Sequence, residues 1–79
     1  MIKEIEKAMS EIYEKDMNPN TIRLHPLDVL KLKKDSINVP NIKHGKILTV
    51  LGLKIIEITK VKKGTAEIYD DRNYFEVKL

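Results

Sequence analysis

Apolar residues recur at Ile2, Ile5, Met9, Ile12 and Tyr13, with Ala8 beside them, and the positions between are Lys3, Glu4, Glu6, Lys7, Glu11 and Glu14. This spacing puts one apolar stripe on a charged cylinder and predicts an amphipathic helix lying on a core. Glu11 and Lys15 stand in the favourable i,i+4 order, which adds a few tenths of a kcal/mol. Asn18-Pro19-Asn20 ends the helix, because proline cannot continue it and pushes its predecessor out of the α region. Residues 21–25 alternate and are rich in β-branched side chains, the pattern of a short strand. Pro26 suits the first turn of a second helix, with Asp28 near its positive end and Lys31, Lys33 and Lys34 at its negative end. Leu27 and Leu30, with Val29, are its expected buried side.

Beyond this helix the period changes. Residues 35–45 show none and contain Asn38, Pro40, Asn41 and Gly45, which reads as a loop of about ten residues. Residues 46–51 and 53–59 are β-rich runs separated by Gly52. That glycine fits a tight turn between two strands or a bulge in one long kinked strand. A turn at residues 60–64 leads to a strand at Thr65–Tyr69. Asp70-Asp71-Arg72-Asn73 has turn chemistry, and residues 74–79 alternate as a last strand. Helices first and strands afterwards predict an α+β fold, a small mixed sheet of four to five strands with two helices on one face.

At 79 residues, 42% of them apolar, the chain has room for one core, and residues 1–79 read as one domain without repeat or linker. A chain of this size buries only about 60–65% of the surface its unfolded form exposes, so each core contact weighs heavily. Cysteine is absent, so no disulfide can reinforce it. The acids near the start do not suit a leader peptide, and the longest apolar stretch, within residues 47–58, is broken by Thr49, Gly52, Lys54 and Glu57. These features place the chain inside the cell or in an assembled particle. Fifteen basic and 12 acidic residues give a net charge of +3, a weak bias with both signs interspersed. Abundant lysine and isoleucine and the absence of tryptophan and glutamine resemble hyperthermophile composition.

The candidate chemistry is sparse. Ser10 and Ser36 lack the context of a nucleophile. His25, His44 and Asp28 can be drawn as a metal site, but no ligand spacing supports it. His25 reads as a strand-end residue near a helix cap, and His44 as loop surface. Asp70 and Asp71 read as turn residues satisfying backbone donors. Gly45, Gly52 and Gly64 are too dispersed for a phosphate-binding loop. Lys60, Lys62 and Lys63 form a local basic cluster, a solvated turn that could also touch nucleic acid or an acidic partner. No cofactor, metal or catalytic set is expected, and the chain reads as a non-enzyme.

Three segments resemble one family. The run from Asn18 to Asp28, with Pro19, Thr21, Pro26 and Asp28, looks like the strand-to-helix passage of tailed-phage (Hong Kong type) major capsid proteins, whose fold encapsulins share. Leu48-Thr49-Val50-Leu51-Gly52-Leu53-Lys54-Ile55-Ile56 is similar to that family's run in which a strand turns at a glycine, with Lys54 where proline is common. The stretch from Gly64-Thr65-Ala66 through Asp70 to Tyr74-Phe75 looks like a third landmark. All three occur in the family's order and cover the chain, but only as the axial domain of a capsid subunit, without its arm, extended loop or spine helix. The resemblance implies an isolated axial domain, a provirus remnant or a small protein adapted from one. Its structural landmarks are Pro26, Asp28, Gly52, Gly64, Thr65 and Asp70, and it implies self-association into rings or with capsid-like subunits.

Overall fold

The strand β1 (Thr21–Leu24) lies in the interior of the sheet, where each of its residues has a partner on both sides. It pairs in parallel with β4 (Leu53–Glu57) and antiparallel with β5 (Thr65–Tyr69). The computed structural model describes residues 1–34, 41–43 and 46–79. Around β1 are arranged α1 (Ile2–Glu14), α2 (Pro26–Lys34), β2 (Asn41–Lys43), β3 (Lys46–Val50) and β6 (Tyr74–Lys78). The strands form one six-stranded mixed sheet in the order β2-β3-β4-β1-β5-β6.

The α+β architecture with two helices is the expected one, but the sheet has one strand more than the upper expectation. The addition is β2, inside the segment read as loop. Its three residues have no visible period, and it exists by pairing antiparallel with β3, Ile42 opposite Ile47. The rest of that expected loop, residues 35–40 and 44–45 with His44, lies outside the described residues. Gly52 marks a hairpin: Val50 faces Leu53, and Leu51 and Gly52 between them both have positive φ, 50° and 81°. Two left-handed residues in a two-residue loop match the twist of the flanking strands. A leucine there is held out of its preferred region by the pairing around it.

One sheet face carries the core. Ile22 and Leu24 of β1, Ala66 and Ile68 of β5, Leu53 of β4 and Val50 of β3 pack with Ile5, Met9 and Ile12 of α1 and with Val29 and Leu32 of α2. The register explains the agreement, since Ile22 is opposite Ile68 and Leu24 opposite Ala66. Alternation then sends Thr21, Arg23, Lys54, Ile56, Glu67 and Tyr69 to the opposite face, which no helix among the described residues covers.

Of the two helices, α2 departs from expectation in its rotation. On α1, Ile5, Met9 and Ile12 are buried as the stripe predicts, with Ile2 and Ala8 half-buried, but Tyr13 is 52% exposed at the stripe's edge. On α2 Val29 is buried as expected, but Leu27 and Leu30 are 44% and 51% exposed, and Asp28 and Leu32 take their place inside. The reason is Asp28, whose carboxylate is engaged beneath the helix.

Candidate functional site

The end of the sheet where β1 runs into α2 gathers most of the landmark residues. His25 caps α2: its Nδ1 accepts the N–H of Leu27 at 3.1 Å, and its carbonyl accepts the N–H groups of Asp28 and Val29. His25 thus serves the helix start, the strand-end role read from sequence. Pro26 opens the helix, where its missing N–H costs nothing. Asp28, 1% exposed, turns inward and its Oδ2 accepts the N–H of Gly64 at 2.8 Å. A carboxylate in the first turn of α2 is thereby tied to a residue 36 positions away.

That bond fixes the connection between β4 and β5, which must pass over the end of β1 because the two strands flank it. Ile58 N–H donates to Leu24 O, Val61 tucks beneath the turn at 5% exposure, and both the N–H and the Oγ1 of Thr65 donate to Lys62 O. Gly64 takes φ +85°, and a Cβ there would meet nothing within 4 Å, so its requirement is conformational and not steric. The exposed Lys60, Lys62 and Lys63 therefore ride on a turn held at several points. Lys31, Lys33 and Lys34 lie in the last turn of α2, while the basic turn is tied to its first.

Gly52 and Asp70 sit at the other end of the sheet. Asp70 Oδ1 accepts the N–H groups of Arg72 and Asn73 at 2.8 and 2.7 Å, closing the β5–β6 hairpin. Those two donors hold its carboxyl below the usual aspartate range. Asp71 accepts the side-chain amide of Asn20 at 3.0 Å, tying the hairpin tip to the entry of β1. A shallow depression of about 200 Å³ beside them is lined by Asp16, Met17 and Asn18 as well as the hairpin. Both aspartates are thus occupied with turn structure, and no group of three metal-ligating side chains converges among the described residues.

Sequence reading missed the uncovered sheet face. Arg23 lies over the ring of Tyr69 at 4.5 Å, and Tyr69 stacks on Tyr74 with centroids 5.5 Å apart. Tyr69 and Tyr74 are cross-strand partners and Arg23 is a diagonal neighbour, so the three form a row across β1, β5 and β6. The Tyr69 hydroxyl donates to Glu67 Oε1 at 2.8 Å, and keeping that proton in place raises the Tyr69 pKa above the ordinary tyrosine value. The signal was present in the strict alternation of β1, β5 and β6, but it needed the strand order to join them. Ile56 and Tyr74 add apolar exposure on this face, at 37% and 59%.

No family model, no curated protein and no solved structure matches the chain. Among the described residues no helix is long and apolar enough to cross a membrane.

Proposed function

We propose that this chain is a non-enzymatic structural module that works by self-association, akin to the axial domain of a Hong Kong-type capsid protein. On this reading it is a provirus remnant or a protein adapted from one, residing in the cytoplasm or in a virion, and its partners are copies of itself or capsid-like subunits. The observation that carries the proposal is the surface: Tyr13, Leu27, Leu30, Ile56 and Tyr74 are large apolar or aromatic side chains left more than a third exposed on so small a body. Leu27 and Leu30 stand one turn apart on the outer side of α2 with about half of each side chain exposed, and adjacent apolar exposure of that kind marks contact surfaces. The resemblance in sequence supports the same reading. Sedimentation velocity over a micromolar to millimolar series tests it. Mass that rises with concentration is expected, and a strict monomer throughout overturns the assembly role.

A second reading has an observation of its own, the exposed Lys60, Lys62 and Lys63 on a well-anchored turn. It makes the chain a small basic module for nucleic acid or an acidic partner. Titration with single- and double-stranded oligonucleotides at two salt concentrations tests it. Binding driven by counterion release weakens steeply with salt, and no binding at low salt removes this reading.

A further inference from the structure

The strand β6 is an edge of the sheet, and its sequence is self-complementary. Leu79 N–H donates to Gly64 O and Asp70 N–H donates to Asn73 O, each at 3.0 Å. In an antiparallel ladder this parity directs the backbone groups of Phe75 and Val77 into β5, and those of Tyr74, Glu76 and Lys78 outward, with no neighbouring strand among the described residues. Their side chains lie on the helix-free face, while the half-buried Phe75, Val77 and Leu79 lie on the helix-covered face.

We infer that β6 pairs antiparallel with β6 of a second copy, on a dyad through Val77. In this register Glu76 of each copy stands opposite Lys78 of the other, and these are the residues whose main-chain groups point outward. Both opposite-charge pairs are then also hydrogen-bonded pairs. On the other face Val77 meets its own copy and Phe75 meets Leu79, so half-exposed apolar surface is covered. The other registers that keep each residue on its face are poorer. A dyad through Glu76 sets two glutamates directly opposite, which is unfavourable, and a dyad through Phe75 leaves Lys78 without an acid. Alternating charge on an edge strand ordinarily discourages pairing. Here the order apolar, acid, apolar, base, apolar reads the same from a reversed copy with the signs exchanged.

The flanking surface agrees. A groove of about 320 Å³ separates β6 from α1, lined by Glu4, Lys7, Ala8 and Glu11 on the helix side. The row that approaches the dyad therefore carries both signs, as an isologous contact needs. The other edge, β2, is only three residues long.

This inference rests on the self-association reading and names one of its contacts. The test compares the wild type with Glu76→Lys and with the double exchange Glu76→Lys/Lys78→Glu by sedimentation velocity, with thermal melts of each at low concentration. Within one chain Glu76 stands opposite Glu67, so Glu76→Lys relieves a like-charge pair and raises the melting temperature of the isolated chain. Across the dyad it sets lysine against lysine twice, and dimerisation weakens about tenfold. The double exchange restores opposite charges across the dyad and returns the association to near wild type. A folded Glu76→Lys variant that associates as tightly as the wild type overturns the β6 contact and leaves self-association standing. So does a double exchange that remains as weak as the single one. A wild type that never associates overturns both.

Discussion

Replacing Asp28 by alanine should cost this protein a large part of its stability, and the amount follows from the geometry. Oδ2 accepts the Gly64 N–H at 2.8 Å from a side chain that is almost wholly buried. A hydrogen bond to a charged group contributes about 1.5–3 kcal/mol. A carboxylate in the first turn of a helix adds about 0.3–1 kcal/mol through the helix dipole. Their sum, roughly 2–4 kcal/mol, is a substantial share of the roughly 4–12 kcal/mol expected for a domain of this size. In a 60–100-residue domain each kcal/mol moves the melting temperature by about 4–8 °C, so Asp28→Ala should melt roughly 8–32 °C lower. Far-UV circular dichroism on heating measures this. Hydrogen exchange localises it, since the Gly64 amide should lose protection ahead of β1. Asp28→Asn, which keeps an acceptor oxygen without the charge, should fall between the two. A loss for Asp28→Ala within about 0.5 kcal/mol, the range of ordinary surface substitutions, would refute the view that this bond clamps α2 to the β4–β5 connection.

Other predictions bear on the same structure. Leu32→Ala should lose about 2–5 kcal/mol by urea denaturation, as a buried leucine does, whereas Leu30→Ala should stay within about 0.5 kcal/mol; equal losses would show that α2 packs on its other side. Gly52→Ala should cost about 1–2 kcal/mol, because the added Cβ meets no neighbour within 4 Å and the penalty is that of a left-handed φ alone. Asp70 is held below its ordinary pKa by two backbone donors, so its contribution is present above the unfolded aspartate pKa and is lost as pH falls through the lower folded value. Stability measured from neutral pH into that acid range should therefore fall less steeply for Asp70→Asn than for the wild type, and parallel curves would remove Asp70 from the acid response.

The difference between α2 and α1 shows where sequence reading reaches its limit. On α1 the buried Ile5, Met9 and Ile12 are the stripe that local spacing shows, because a single apolar face must go inward. On α2 two apolar rows compete, Leu27 with Leu30 and Val29 with Leu32, and each is accompanied by lysine. Periodicity cannot choose between them. The choice is made by a polar contact 36 residues away, through which Asp28 turns Val29 and Leu32 down and Leu27 and Leu30 out. The candidate site divides in the same way. Lysines at positions 60, 62 and 63 are a local cluster that any reading finds, while the row of Arg23, Tyr69 and Tyr74 exists only once β1, β5 and β6 are neighbours.

By itself, then, the sequence determined the α+β class, the first helix ending before Asn18-Pro19, a break in the β-rich run at Gly52 and the turn at residues 70–73. Each of these depends on neighbours a few positions apart, whose periodicity and backbone preference are written locally. The tertiary structure alone decided the strand β2, the parallel pairing of β1 with β4, the rotation of α2 and the identity of the sheet's free edge. Those depend on contacts between residues distant in the chain, where several arrangements satisfy the local pattern and only packing and hydrogen-bond closure select among them.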